Sequence, residues 1–207
     1  MKLSHNYLFD HNIIIETPRL MINTLEISED ILLDLYEIYS DIENCKGFCI
    51  PHIHGYDAFK DYMIRKYDKY FLNERRVYMF TITEKESKKV IGIRNMIFDS
   101  KYQPNGRLFI NYLNNIITET AINKLFWRKG YAFESTYAIF ECMENFDFKY
   151  ILSFITPENE PAIKHIEKLG FEESNKIEII EKYGFYREAL SHTFNSEIDK
   201  IYILKNT

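Results

Sequence analysis

Apolar and polar positions alternate along this chain in two periods, and the period switches repeatedly. From Glu29 to Tyr39, Ile31, Leu35 and Ile38 recur at helical spacing with Leu32, Tyr36 and Tyr39 beside them, and Ser28 supplies an N-cap. A second amphipathic helix begins at Asp57, with Phe59, Tyr62, Met63 and Tyr67 on one side. Ile13 to Ile22 reads as a strand interrupted at Pro18, which cannot donate to a ladder and therefore belongs at an edge or a bend. Arg76–Thr83 and Lys89–Phe98 have the β-branched and aromatic content of strands, joined by the polar connection Glu84-Lys85-Glu86-Ser87-Lys88. Pro104-Asn105-Gly106 is a turn, after which Arg107–Leu113 and Ile116–Ile122 compete for the next strand. The pattern then predicts a helix from about Tyr131 to Asn145 and a strand over Tyr150–Ile155. A helix over Glu160–Leu169 and a last β region reaching Leu204 follow. Strands broken by helices in one mixed run predict an α+β (α/β layered) fold.

Length and composition narrow this further. The 207 residues suit one domain over 1–207, with a long and less recognisable C-terminal β region after about residue 171. A hydrophobic fraction of 46% with 16% aromatics supports a substantial core. The net charge of −5 argues against a dedicated nucleic-acid binder. No run approaches the ~18 apolar residues of a membrane span, and no apolar leader follows Met1, so a cytoplasmic protein without a membrane partner is expected. Three cysteines are too few and too odd in number for a disulfide scaffold. Cys45, Cys49, His52 and His54 could in principle ligate zinc. Their spacing is cramped and lacks the usual separation between ligand pairs, so no metal is expected.

Two segments carry the chemistry. Phe126 to Ser135 follows a strand and opens a helix. Gly130 permits a tight turn and close backbone approach, N–H groups at a helix start lack intrahelical partners, and Arg128 and Lys129 add positive charge. Together these make a pyrophosphate cradle. Taken alone, the segment is better read as an ordinary helix start, because one glycine is a weak phosphate signal. In the second segment, Thr156 to Phe171, Asn159 caps a helix, Pro161 sits in its first turn, and Ile163, Ile166 and Leu169 mark a buried face. Gly170 ends that helix and Phe171 returns the chain to the core.

Together these segments resemble the GNAT superfamily of N-acetyltransferases, and most of all its RimJ/RimL type, which acetylates protein N-terminal amines, including those of ribosomal proteins. Glu16-Thr17-Pro18-Arg19-Leu20 is similar to that branch's opening strand. Trp127 through Glu134 matches its Trp-x-Lys-Gly-Tyr-Ala-x-Glu step, and Pro157 through Phe171 its Pro-Glu-Asn…Glu-Lys-Leu-Gly-Phe segment. Ile91-Gly92 falls where the family often has an Ile-Gly pair, and the likeness spans roughly Ile14 to Phe171.

The resemblance implies a mixed, mostly antiparallel central sheet with helices on both faces, and acetyl-CoA as cosubstrate. By it, Trp127 and the backbone from Arg128 through Lys129, Gly130 and Tyr131 to Ala132 hold the coenzyme A pyrophosphate. Asn159 approaches the pantetheine arm, and Lys164 or Lys168 reaches the adenosine end. The strand before the loop would splay from Tyr150–Ile155 and accept pantetheine between the two. Two positions depart from the family. Ile166 stands where many members have a tyrosine general acid, and Ala162 where many of this type have serine.

An attacking amine must be neutral. An α-amine has a pKa of about 7.7–8.0 against about 10.4 for lysine, so it needs less help from the enzyme. With the usual acid missing, the reading tilts toward a peptide or protein N-terminal α-amine. Tyr112 and Glu119 are the candidates for acid and base; a packed tyrosine and a solvated glutamate are the plainer readings. Phe48, His52, His54 and Tyr56, in the loop between the first two helices, are candidates for the acceptor side. A small-amine acetyltransferase acting on an amino acid, polyamine or antibiotic is the alternative enzyme. A non-catalytic acyl-CoA sensor is the alternative from another class, and a homodimer is left open.

Overall fold

The computed structural model describes residues 3, 5–45, 50–98, 100–102, 108–110, 115–146, 148–175, 178 and 200–205. In chain order the elements begin with α1 (His5–Asp10), β1 (Ile14–Glu16), β2 (Leu20–Thr24), α2 (Glu29–Tyr39), α3 (Ile42–Cys45) and α4 (Tyr56–Lys66). Next come β3 (Val77–Glu84), β4 (Val90–Phe98), β5 (Ser100–Tyr102), β6 (Leu108–Ile110), β7 (Asn115–Ile122) and α5 (Tyr131–Met143). The chain closes with β8 (Tyr150–Ile155), α6 (Glu160–Lys168), β9 (Glu172–Ser174) and β10 (Lys200–Lys205). A π-helical stretch, Tyr67–Asn73, continues α4, and a short 3-10 turn, Lys124–Phe126, precedes α5. Eight strands hydrogen-bond in the order β1-β2-β3-β4-β7-β8-β10-β9, a mixed and mostly antiparallel sheet, as the resemblance implies. The chain divides into two compact units, Met1–Asn95 with Thr120–Phe146, and Met96–Glu119 with Asp147–Thr207.

In the first unit, α2 forms where its period and cap place it. Ser28 accepts from the Ile31 N–H, Glu29 and Asp30 fill the first turn, and Leu32, Leu35, Ile38 and Tyr39 are buried. Phe59 of α4 packs its ring 5.1 Å from Tyr39 and 5.5 Å from Tyr36. β3 is buried at all but one position and the described β4 throughout, the signature of strands covered on both faces. Arg94 of β4 is buried against α5, donating to the Thr136 hydroxyl and lying 5.5 Å over the Phe140 ring. Burial pulls its guanidinium down to about 9, which leaves it charged at neutral pH.

One expectation is corrected here. Ile13 to Ile22 is not one interrupted strand but a hairpin, with Ile14 opposite Asn23 and Glu16 opposite Met21. Thr17 closes the reversal twice: its N–H donates to the Leu20 carbonyl at 3.0 Å, and its hydroxyl accepts from the Leu20 N–H at 2.9 Å. Pro18 needs no partner inside that turn.

In the second unit β8 pairs with β10 along all six of its residues, from Tyr150 opposite Lys205 to Ile155 opposite Lys200. The β7–β8 pair is parallel, with Asn115, Ile116 and Ile117 facing Tyr150, Ile151 and Leu152. Beyond that register each strand runs on, β7 to Ile122 and β8 to Ile155. The competition between Arg107–Leu113 and Ile116–Ile122 is thus decided. β7 joins the main sheet, while β6 pairs with β5 in a separate two-stranded ribbon. The predicted turn at Pro104-Asn105-Gly106 and the stretch at 179–199 lie outside the described residues.

Candidate active site

The turn between β7 and α5 is held by hydrogen bonds within itself and to β4. Asn123 donates its backbone N–H to the Ile91 carbonyl and accepts on its side chain from the Leu125 N–H. Trp127 donates its indole N–H to the Ile122 carbonyl at 2.6 Å. Arg128 and Gly130 then take left-handed backbone angles, φ 61° and 82°. Gly130 is the N-cap of α5 and provides no side-chain cap. The first-turn N–H groups of a helix have no intrahelical acceptor, and the dipole makes that end attractive to anions. A Cβ built on Gly130 would lie 3.3 Å from Arg19 Nη2, so the glycine leaves the loop room that any other residue would fill.

Below the loop lies a side-chain cluster that sequence reading did not assemble. Glu134 of α5 accepts from the Thr17 hydroxyl at 2.6 Å, from the Arg19 backbone N–H at 3.0 Å and from Arg19 Nε at 2.6 Å. Arg19 Nη1 donates to the Lys129 carbonyl at 2.8 Å, and its guanidinium lies 4.5 Å over the Tyr131 ring. The Tyr131 hydroxyl donates to the Glu84 carboxylate, which raises the tyrosine pKa. Lys129 Nζ sits 4.9 Å over the Phe126 ring.

Burial of Glu134 would push its pKa up. The bonds from Thr17 and Arg19 outweigh this and hold its carboxyl below the ordinary 4.5. A depressed folded pKa contributes stability above the unfolded value, and the contribution is lost as pH falls through the folded value. Urea midpoints measured from pH 7 down to 3 should therefore fall less steeply in Glu134→Gln than in the parent protein. Parallel profiles would show that this carboxylate does not carry the acid limb.

In the second unit, Asn159 caps α6, its side chain accepting from the Ala162 N–H at 3.3 Å, with Pro161 in the first turn. Ile166 is buried, and Lys164 is exposed and paired with Glu160 at 3.4 Å. Glu119 is half-buried on β7, whereas Tyr112 lies outside the described residues.

The loop between α3 and α4 borders an open cleft of about 590 Å³, within the first unit, whose lining includes Glu37, Asp41, His52, His54, Asn123 and Leu125. His52 Nε2 lies 3.0 Å from the Ser40 carbonyl and its ring meets the His54 ring edge-on at 4.2 Å. Glu37 pairs with Lys89 at 2.5 Å, and Asp41 with Lys124. Tyr56 points elsewhere, donating to Glu29 at 2.8 Å. Sequence reading placed His52 and His54 on this side but missed Glu37 and Asp41. Spaced i, i+4 about the end of α2, they look like a solvated helix face. Phe48 and Cys49 lie outside the described residues. Among the described residues no group of three His, Cys, Asp or Glu could hold a metal, and no helix is long and apolar enough to cross a membrane.

Comparison with known proteins agrees with the fold. Residues 19–172 match the model of the acetyltransferase (GNAT) domain. No curated protein matches the chain. Among solved structures it is similar to a GNAT-family acetyltransferase from Bacillus anthracis, at 16% identity and TM-score 0.64, covering 94% of this chain and 99% of that one. It is similar to spermidine N-acetyltransferase from Vibrio cholerae, solved with CoA and spermine, at 14% identity and TM-score 0.65, covering 92% and 97%. A third is the ribosomal-protein-S5-alanine acetyltransferase from Vibrio fischeri, at 13% identity and TM-score 0.59, covering 94% and 97%. These likenesses are of fold. The family match, which begins at Arg19 and covers the Gly130 loop, shows that the chain belongs to the GNAT family and is an acetyl-CoA-dependent N-acetyltransferase.

Proposed function

We propose that the chain acetylates the N-terminal α-amine of a peptide or protein, as the RimJ/RimL type does. The observation that carries this reading is the open cleft lined by His52, His54, Glu37 and Asp41. A peptide needs a groove from which its remainder can emerge, whereas a small amine is better held in a closed pocket. Backbone N–H groups of Arg128 through Ala132, beside Trp127, take the coenzyme A pyrophosphate, and the left-handed, uncapped Gly130 supports that role. Asn159 borders the pantetheine arm and Lys164 the adenosine end. Glu119 accepts the proton of the attacking amine as its nitrogen bonds to the thioester carbon. The C–S bond then breaks, and Tyr112 returns a proton to the coenzyme thiolate. The buried Ile166, at the position where relatives often carry an acid, has no part in proton transfer.

A second reading, a small polycationic amine, draws on the cleft carboxylates Glu37 and Asp41. Both are already engaged by lysines, Lys89 and Lys124, which weighs against it. Thiol release from acetyl-CoA, followed with a panel of unblocked peptides, the same peptides N-acetylated, and small amines including spermidine, tests the choice. Turnover with unblocked peptides alone is expected, rising with pH and levelling near the amine's own pKa. Faster turnover of spermidine would overturn the peptide acceptor. Coenzyme binding without turnover of anything in the panel would favour a sensor.

A further inference from the structure

We propose that Arg19 is a positioning residue for coenzyme A: with Thr17 and Glu134 it sets the backbone shape of the loop at 127–131. The inference rests on the reading that this loop holds the pyrophosphate. The guanidinium meets the loop and the helix start at four points in sequence. It donates to the Lys129 carbonyl at 2.8 Å, comes within 3.3 Å of where a Cβ of Gly130 would stand, covers the Tyr131 ring at 4.5 Å, and forks onto Glu134 through Nε and Nη2, each at 2.6 Å. The Arg19 backbone N–H adds a fifth contact, to Glu134 at 3.0 Å, and the Thr17 hydroxyl a sixth at 2.6 Å.

These contacts fall where the loop is least able to hold itself. Lys129 lies between two left-handed residues, and one of them, Arg128 at φ 61°, carries a side chain that disfavours this conformation. An external anchor on the Lys129 carbonyl keeps the peptide plane in one orientation. The orientation of neighbouring N–H groups is what an anion cradle depends on. Arginine suits the task because its planar fork reaches a carboxylate and a carbonyl at once, which a lysine ammonium cannot do in the same geometry. All five donors of the turn and the fork converge on one helix residue and one loop carbonyl. Arg19 therefore acts on the ligand through the loop, without touching it.

Calorimetric titration of coenzyme A into the parent protein, Arg19→Lys, Glu134→Gln, the double variant and Gly130→Val tests this. Phosphorus NMR of the bound coenzyme at saturation accompanies it. Arg19→Lys and Glu134→Gln should each weaken binding about tenfold, the scale of one charge-assisted hydrogen bond. The double variant should lose little more than either alone, because the two act as one unit. The pyrophosphate resonances of the bound coenzyme should move from their parent positions. Weakened binding with those resonances unmoved would mean a merely structural role and would overturn the inference. Parent affinity in Arg19→Lys beside lost affinity in Gly130→Val would overturn it while leaving the loop reading intact. Parent affinity in Gly130→Val would remove the loop reading and this inference together. Should the charge variants fail to fold, Thr17→Val, which keeps both charges and removes the hydroxyl that bonds Glu134 and the Leu20 N–H, should weaken binding about threefold. Parent affinity there would count against the proposal.

Discussion

Replacing Gly130 with valine should weaken coenzyme A binding by about a hundredfold. The residue stands at φ 82°, where a β-branched side chain is strained by up to about 3 kcal/mol, and that strain converts to roughly two decades of affinity if it is relieved by moving the loop. The new side chain would also begin 3.3 Å from Arg19 Nη2 and displace the guanidinium that anchors Lys129. Calorimetry on a variant shown by circular dichroism to be folded is the direct measurement. Unchanged affinity would place the pyrophosphate elsewhere.

The largest loss of stability is expected at Gly92, the third residue of β4. A methyl group built there would lie 2.5 Å from Ile122 Cδ1 and 2.7 Å from the Ala121 carbonyl oxygen, with Ile82 Cδ1 at 3.4 Å. A side chain can swing away; a backbone carbonyl inside a sheet cannot do so cheaply. Gly92→Ala should therefore cost about 1–3 kcal/mol, the usual range for overpacking a filled core. Urea denaturation reads this as a lower midpoint with an unchanged slope. A midpoint equal to the parent's would mean that β7 relaxes freely, contrary to the packing described. The same displacement would pass along β7 toward Asn123, whose N–H is held by the Ile91 carbonyl. Some loss of coenzyme affinity should thus accompany the loss of stability.

Elements whose signal is local were legible in the sequence. Ser28 and the 3.6-residue period gave α2, and the short apolar run at Tyr150–Ile155 gave β8 at both ends. The hairpin at Thr17–Leu20 was missed because its reversal contains no glycine and is closed by a threonine hydroxyl, which pattern alone does not reveal. The choice between Arg107–Leu113 and Ile116–Ile122 depended on which segment the sheet recruits, a tertiary fact that two similar apolar runs do not contain. In the candidate site, the tight turn at Gly130 was legible because the glycine falls between a strand and a helix. The partnership of Thr17, Arg19 and Glu134 was not, although all three residues sat inside the segments that resemble the family. No local rule connects positions so far apart.

That separation has a kinetic side. Arg19 and Glu134 are 115 residues apart in sequence, so their contact closes a long loop whose entropy must be met before the contact rewards it. During synthesis Arg19 leaves the ribosome well before Glu134 is made, and the β1–β2 hairpin must wait for its partner helix. The loop at 127–131 is thus shaped late, by docking of the β1–β2 hairpin. A ligand that binds only the docked form stabilises the docking by mass action. Amide protons in the hairpin, such as the Leu20 N–H held by Thr17, should then exchange more slowly when coenzyme A is present, far along the chain from the loop proposed to hold it.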